Sequence, residues 1–356
     1  MKIVAIIGAR PQFIKHFPFE LACRGKIELL TIHTGQHYDK NMSEVFFDQL
    51  KMSPPDFMLH VGSGPHGLQT AKMMIEVEKI FQEIFPDGVV VYGDTNSTLA
   101  GALVASKMNI PIFHIEAGLR SFNRQMPEEV NRVLTDHISN LLFVPSTTAK
   151  ENLKIEGIEK GVCEVGDIMK DLIWYVSKND LIPKNTSKQR EFYYATIHRP
   201  YNTDDKHRLE RILKALDQLD KEVIFSLHPR TRNLARSYGL ALGAFSNIRF
   251  IEPQSYFSNL GYLQSCEGLI TDSGGMQKEA FWLKRKCVTI RKETEWKETL
   301  EGNANVLVFE DLSKTQKELR SRPISWNETL YGDGRSAVKM ADAILKFLNR
   351  TVCDKM

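Results

Sequence analysis

An α/β fold of two doubly wound domains is what this sequence predicts, and three observations carry that expectation. Short apolar runs rich in Val and Ile recur between amphipathic stretches, the pattern of a parallel sheet covered on both faces. The pattern occurs twice, on either side of a polar stretch from Lys178 to Glu191. With 356 residues, the chain also exceeds what one ordinary core holds.

In the first series, apolar runs at 3–7, 29–32, 89–92, 112–115 and 141–144 are short and β-branched, as buried strands are. Helical patterns at 98–107 and 128–138 follow two of them. The second series places strands at 193–196, 223–226, 248–251, 269–271 and 287–290. A last amphipathic pattern, 336–348, is expected to cross back onto the first domain. The expected division is therefore a first domain of residues 1–167 completed by 336–356, and a second of 168–335. Ligands of such sheets bind beyond the carboxyl ends of the strands, so the cleft between the domains is the expected site.

Composition narrows the partners. Lys plus Arg (47) less Asp plus Glu (44) gives a net charge of +3, too weak and dispersed for a nucleic-acid or anionic-membrane partner. Five cysteines, Cys23, Cys163, Cys266, Cys287 and Cys353, are an odd number without a C-x-x-C pair. Neither a disulfide framework nor a zinc knuckle is indicated, and a reducing cytoplasm fits. The apolar stretch at 3–7 is broken by Arg10 and is too short for a signal peptide or a membrane span.

The run Thr271-Asp272-Ser273-Gly274-Gly275-Met276-Gln277-Lys278-Glu279 follows an apolar segment and reads as a strand emptying into a helix. Free N–H groups, the helix dipole and two glycines would let a phosphate approach the main chain there. Glu279, one turn further in, is placed to accept from sugar hydroxyls, so phosphate plus ribose points to a nucleotide. The same run also reads as a plain helix cap. Neither G-x-G-x-x-G after the first strand nor a Walker A pattern is present, which disfavours a dehydrogenase-type dinucleotide site. The first strand instead ends in Gly8-Ala9-Arg10-Pro11-Gln12, with Lys15 a turn beyond, placing cations at the mouth of the sheet.

Three carboxylates stand at strand ends or helix starts of the first domain: Asp94, Glu116 and Glu128. Capping accounts for Asp94 equally well, and the first-turn preference for acids accounts for Glu128 or Glu129. Glu116 ends an apolar strand before Ala-Gly, where it would be partly desolvated, as suits a general base. His198 and His228 follow strands of the second domain, each beside arginine, which suits anion contact or acid/base work as well as a structural role. No pair shows metal-ligand spacing with a third ligand, so no metal is expected.

Taken together these motifs resemble the non-hydrolysing UDP-N-acetylglucosamine 2-epimerases along nearly the whole chain. The matching pieces, in order, are IIGARPQFIK at 6–15, GDTNSTLAGALVASK at 93–107, HIEAGLRS at 114–121, MPEEVNRVLTDH at 126–137, IHRP at 197–200, TDSGGMQKEA at 271–280 and YGDGRSA at 331–337. The resemblance implies the two-domain GT-B fold shared with glycogen phosphorylase, UDP in the cleft, a cytoplasmic homodimer, and no cofactor. It implies an isomerase that removes the proton on carbon 2 as UDP departs, leaves a bound glycal, and returns UDP with a proton on the other face. By the same resemblance Asp94, Glu116, Glu128 and His198 are catalytic, while Arg10, Lys15, His228, Ser273, Gly274, Gly275 and Glu279 bind substrate. Surface-polysaccharide biosynthesis is the implied use of the product.

The sequence departs from the common bacterial pattern at Gln12, Pro200 and Tyr201, and at residues 36–42, where regulated members bind a second substrate molecule. The segments GARPQFIK, LHPRTR at 227–232, GGMQKEAF at 274–281 and TEWKE at 294–298 resemble the branch acting on UDP-2,3-diacetamido-2,3-dideoxyglucuronate, whose carboxylate Arg230 or Arg232 would meet. Three rivals remain open: a glycosyltransferase of the same fold, a non-catalytic nucleotide-sugar binder, and a hydrolytic epimerase.

Overall fold

Val- and Ile-rich strands of four to six residues cannot satisfy their backbone alone, and here they assemble into two parallel sheets, each in its own unit. The computed structural model describes residues 1–36, 50–183 and 191–353, with the side chains of Arg10 and of 351–353 outside that description. One unit comprises Met1–Tyr175 with Thr329–Met356, the other Val176–Glu328.

In the first unit β1 (Lys2–Ile7), β2 (Glu28–His33), β3 (Phe57–Met58), β4 (Gly88–Tyr92), β5 (Ile112–Ile115), β6 (Leu141–Val144) and β7 (Val162–Glu164) lie in the order β3-β2-β1-β4-β5-β6-β7. Every adjacent pair is parallel. The helices are α1 (Arg10–Cys23), α2 (His66–Ile84), α3 (Asn96–Lys107), α4 (Pro127–Ile138), α5 (Thr147–Ile155) and α6 (Ile168–Lys178). Alternation along β1 shows why the strand is apolar throughout. Ile3, Ala5 and Ile7 join one core with Phe13 and Phe19 of α1, while Val4 and Ile6 join the other with Val77 and Phe81 of α2 and Ala102 of α3.

The second unit repeats the plan. Strands β8 (Phe192–Thr196), β9 (Glu222–Ser226), β10 (Ile248–Ile251), β11 (Gly268–Thr271), β12 (Lys286–Thr289) and β13 (Asn305–Leu307) are ordered β10-β9-β8-β11-β12-β13 and are all parallel. They carry α7 (Pro200–Thr203), α8 (Lys206–Asp217), α9 (Pro229–Ser237), α10 (Tyr256–Ser265), α11 (Gly274–Trp282) and α12 (Lys314–Arg320). Tyr193 and Ala195 face the core lined by Leu209, Ile212 and Leu216, whereas Phe192 and Tyr194 face Leu263 and Ala280. Three strands absent from the sequence expectation, β3, β7 and β13, have only two or three residues each and sit at sheet edges, where no continuous apolar run is required.

The final helix, α13 (Ser336–Cys353), belongs to the first unit and adds Met340, Ala341 and Ile344 to the core beneath β1 and β4. Its first amides are capped from a different helix: Asp171 of α6 accepts from Ser336 N at 3.0 Å and from Ala337 N at 2.7 Å. Beside it Lys170 donates to the carbonyls of Leu330 and Gly332, at 3.1 and 2.6 Å. These bonds, with Ile168 in the first core, explain why the division between the units falls at Tyr175 and Thr329 rather than at 167 and 335. Burial pushes the Asp171 carboxyl up to about 6 even though the two amides pull the other way. Asp171→Ala leaves both amides buried without an acceptor, and a loss of about 1–3 kcal/mol is expected. Thermal unfolding reads the loss, and hydrogen exchange should show α13 opening first.

Candidate active site

In the first sheet the chain order reverses between β1 and β4, the position where doubly wound sheets hold their ligands. Gln12 ties together the loops that leave these two strands. Its Oε1 accepts from the amides of Gly8 and Ala9 at 2.8 and 3.0 Å. Its Nε2 donates to the Tyr92 carbonyl at 3.0 Å and to the hydroxyls of Thr95 and Thr98 at 2.9 and 3.1 Å. An ionised glutamate in this place would have no proton for the Tyr92 carbonyl.

The carboxylate that ends β5 is held against α1. Lys15 donates to Glu116 Oε2, and each of these side chains is 11% exposed. Glu116 adopts φ +70°, the left-handed region that a non-glycine residue enters at a cost of about 1–2 kcal/mol. Its amide and that of Ala117 both donate to the Phe143 carbonyl at 3.1 Å. Gly93, at φ +62°, lies under the pair, and a Cβ there would sit 3.2 Å from Glu116 Oε2 and 3.4 Å from Lys15 Nζ.

Asp94, the next residue, is 32% exposed and accepts from Arg132 of α4. Arg132 also reaches Glu129 Oε2 at 3.2 Å. Burial opposes its charge, but Asp94 first, then Glu129 and Glu116, hold its pKa above the ordinary value. Glu129 is buried and accepts from the amides of Ser121 and Phe122 at 2.9 and 2.8 Å. Glu128, its neighbour, is exposed and has no hydrogen bond or ion pair among the described residues.

Behind Glu116 lies a buried polar network centred on Asp136 of α4. Asp136 accepts from His114 Nδ1 at 2.7 Å, from Arg120 Nη1 at 2.7 Å and from Gly118 N at 3.1 Å. The other ring nitrogen of His114 donates to the Gly93 carbonyl at 2.8 Å. Arg120 grips Glu156 with two further bonds of 2.7 Å. Burial alone would raise the Asp136 carboxyl, but His114 and Arg120 hold it below its ordinary value.

In the second sheet the reversal falls between β8 and β11, and here an aspartate links the two loops. Asp272, fully buried, accepts from the amides of His198 and Arg199 at 3.1 and 2.9 Å, from Asn202 Nδ2 at 3.0 Å, and from His198 Nδ1 at 3.1 Å. Burial pushes its carboxyl up, yet these donors bring it below the ordinary 3.8. His198 remains 36% exposed, and its ring lies 5.7 Å from that of His228, centroid to centroid.

Ser273 caps α11 by accepting from Met276 N at 3.5 Å. The two glycines after it differ. A Cβ on Gly274 would come 2.7 Å from Glu295 Oε1, whereas one on Gly275 would meet nothing within 4 Å, so the second glycine leaves open space before the helix start. Glu279 is buried in the next turn. Arg230 donates to Asp204, and to the Thr203 hydroxyl at 3.2 Å, while Arg232 pairs with Glu252 at 2.6 Å.

Lys15 and Glu116 thus meet in the first unit, and His198, His228 and the Ser273–Gly275 cradle lie on adjacent strand ends of the second. The side chain of Arg10 and residues 37–42 of the segment compared with regulated enzymes lie outside the described residues. Of the residues that organise the site, Gln12 stands out in the sequence only as a departure from the bacterial pattern, and His114, Arg120, Arg132, Asp136 and Asp272 are given no role of their own there. For Asp272 the available signal was charge, an acid between a core strand and a small-residue run, whereas Asp136 stands among Arg132, Thr135 and His137 and carries no such signal.

Residues 20–345 match the family model described as UDP-N-acetylglucosamine 2-epimerase. The chain belongs to this family. It is 46% identical to a UDP-N-acetylglucosamine 2-epimerase homolog of Methanococcus maripaludis, over 97% of this chain and 99% of that protein. It is 43% identical to the UDP-2,3-diacetamido-2,3-dideoxy-D-glucuronate 2-epimerase of Pseudomonas aeruginosa, over 97% of this chain and 100% of the relative. The crystal structure of the Methanocaldococcus jannaschii UDP-GlcNAc 2-epimerase in complex with UDP-GlcNAc and UDP superposes with a TM-score of 0.88 at 42% identity, covering 98% of this chain and 100% of that one. The α/β class with two doubly wound Rossmann-like domains is therefore the fold of this epimerase-family chain.

Asp272 supplies a test of the second unit. Its lowered pKa means that its stabilisation is complete above the unfolded value near 3.8 and is lost as the pH falls from there through the native value. Asp272→Asn should cost about 1.5–3 kcal/mol at pH 7. In denaturant titrations that difference should shrink through the same acid window and vanish below it.

Proposed function

We propose that this chain is a cytoplasmic, non-hydrolysing 2-epimerase that interconverts UDP-N-acetylglucosamine and UDP-N-acetylmannosamine for polysaccharide synthesis. The observation that carries the reading is Glu116. It is a carboxylate at the end of a core strand, one strand from the point where the sheet reverses, held in a left-handed conformation against Lys15. Family membership and the UDP-GlcNAc complex of the M. jannaschii relative support the substrate. The free cysteines Cys23, Cys163, Cys266 and Cys287 suit a reducing compartment.

In this reading one carboxylate takes the proton from carbon 2 while the bond from carbon 1 to the UDP oxygen breaks. The electrons of the C–H bond become the C1=C2 double bond of 2-acetamidoglucal. UDP then returns to carbon 1 as a proton is delivered to the other face of carbon 2. Glu116, Asp94 and Glu128 are the acids and bases of these two transfers, and His198 acts beside the departing diphosphate. Ser273, Gly274 and Gly275 receive phosphate at the start of α11, with His228 as a further donor and Glu279 accepting from ribose, and Arg10 and Lys15 are the substrate-binding cations of the first unit.

A second substrate, the UDP-diacetamido-glucuronate, is favoured by the similarity to the P. aeruginosa enzyme. The engagement of Arg230 and Arg232 by Asp204 and Glu252 weakens the assignment of either to its carboxylate.

Proton NMR in D₂O with each substrate separates the readings. Deuterium at carbon 2 with the manno epimer still joined to UDP is expected. Free sugar with UDP would mean hydrolysis, and no exchange despite UDP binding would reject the epimerase. Glu116→Gln should slow exchange by about 10²–10⁴-fold with UDP affinity kept in calorimetry, whereas Gly275→Ala should weaken UDP binding and leave Tm unchanged.

We further propose a homodimer built on the first unit. Val130 and Leu134, one turn apart on α4, and Leu68 and Ile75 on α2 are exposed apolar side chains on the two helices that flank α3. Leu134→Glu should shift the sedimentation coefficient to that of a monomer, and a wild-type chain that sediments as a monomer would remove the idea.

A further inference from the structure

We propose that Asp136 is a positioning residue for Glu116, an inference that rests on the catalytic role proposed for Glu116 above. Its single carboxylate fixes the backbone on both sides of that residue and the surface beneath it. Two positions before Glu116, His114 donates to Asp136 at 2.7 Å; two positions after it, the Gly118 amide donates at 3.1 Å. Arg120 closes the loop at 2.7 Å and is itself clamped by Glu156. The far nitrogen of His114 holds the Gly93 carbonyl at 2.8 Å. Gly93 is the residue whose hypothetical Cβ would stand 3.2 Å from Glu116 Oε2.

Glu116 has reason to move when that frame is loosened. At φ +70° it occupies a region that glutamate leaves when nothing holds it there. Gly118 at φ +78° in the same turn and Gly93 at φ +62° in the adjacent β4 loop are glycines for which the conformation is free. Rotation of residue 116 into the β or right-handed region redirects the Cα–Cβ bond, and the carboxylate goes with it. Asp136 is buried at the centre of this arrangement and acts through His114, Gly118 and Arg120.

An amide can replace the carboxylate here. The Oδ2 position, which meets Gly118 N and Arg120, needs an acceptor, and the Oδ1 position meets His114 Nδ1. Asparagine with its oxygen toward Gly118 and its NH₂ toward a neutral His114 keeps all three bonds, while His114 still donates to Gly93 through Nε2. Alanine keeps none of them.

The test compares Asp136→Ala, Asp136→Asn and His114→Gln in the full chain, with UDP-N-acetylglucosamine as substrate and activity expressed per folded molecule. For Asp136→Ala, kcat should fall by about 10²-fold, the scale of a 1 Å misplacement, with KM and calorimetric UDP affinity within about twofold of wild type. Asp136→Asn, which preserves the three bonds, should return kcat to within about fivefold of wild type. If Asp136→Ala does not fold, His114→Gln, which keeps a donor at the Nε2 position for the Gly93 carbonyl and cuts the Nδ1 bond to Asp136, should lower kcat at least tenfold on the same scale of misplacement. A fall in Tm with kcat per folded molecule unchanged in Asp136→Ala, or in His114→Gln where the alanine chain is lost, would overturn the inference. Glu116→Gln run alongside keeps the two ideas apart. If that variant retains turnover, the assignment of Glu116 itself fails; if it is inactive while the position-136 and position-114 variants are not, only the positioning role fails.

Discussion

Many backbone amides in the loops that leave a parallel sheet have no partner within the ladder, and in each unit of this chain a buried aspartate supplies missing acceptors. Asp136 takes the amide of Gly118 together with His114 and Arg120 in the first unit. Asp272 takes the amides of His198 and Arg199 together with Asn202 in the second. A buried carboxylate with three or more donors is stable as an anion, because the donors replace the water it has lost. Remove the anion and the loop loses several bonds at once, so the irregular backbone on which the site residues stand depends on a residue that need not face the ligand.

The two units use this device on loops of similar origin. In each, the aspartate accepts from a histidine at or just after a strand: in the first, His114 reaches the Gly93 carbonyl, at a strand end where the sheet reverses, through its other nitrogen, and in the second Asp272 itself stands at such a strand end and holds His198. The histidines differ in consequence. His114 is fully buried and both its nitrogens are engaged, so it serves as a strut. His198 keeps a partly exposed ring, and only that one is open to acid/base or anion chemistry.

Sequence alone reached the interior strands and the strand-end residues because both leave local marks. Buried strands read as unbroken Val and Ile runs, and Glu116 reads as a charge that closes one. Edge strands such as β3 and β13 leave no such run. The two aspartates were out of reach for another reason: Asp136 finds His114 across 22 residues and Asp272 finds His198 across 74, and no helical or strand period connects such distances. At 128 and 129 adjacent glutamates look alike in sequence, and only packing separates the buried one that holds the Ser121–Phe122 turn from the exposed one beside it. The expected boundary at 167 had no local mark in the sequence, whereas the physical boundary follows Asp171 and Lys170, which attach α6 to the start of α13 and the chain before it.

Glu116 shows what stability is exchanged for in such a site. Glycine at this position would relieve a left-handed backbone conformation that costs glutamate about 1–2 kcal/mol, and glycine is what the chain has at 93 and 118, where the same conformation occurs. A carboxylate in this conformation is the observation from which the role proposed for Glu116 starts. Its burial adds a second cost, offset by Lys15 on α1. Gln12 then fixes the start of α1 to β4 through neutral hydrogen bonds alone, which leaves the ammonium of Lys15 as the partner of Glu116 without a competing carboxylate at the adjacent turn of the helix. Strain, burial and pairing at Glu116 are thus met by three separate elements, α4 through Asp136, α1 through Lys15 and the β4 loop through Gly93, and the carboxylate is placed by their agreement rather than by any one contact.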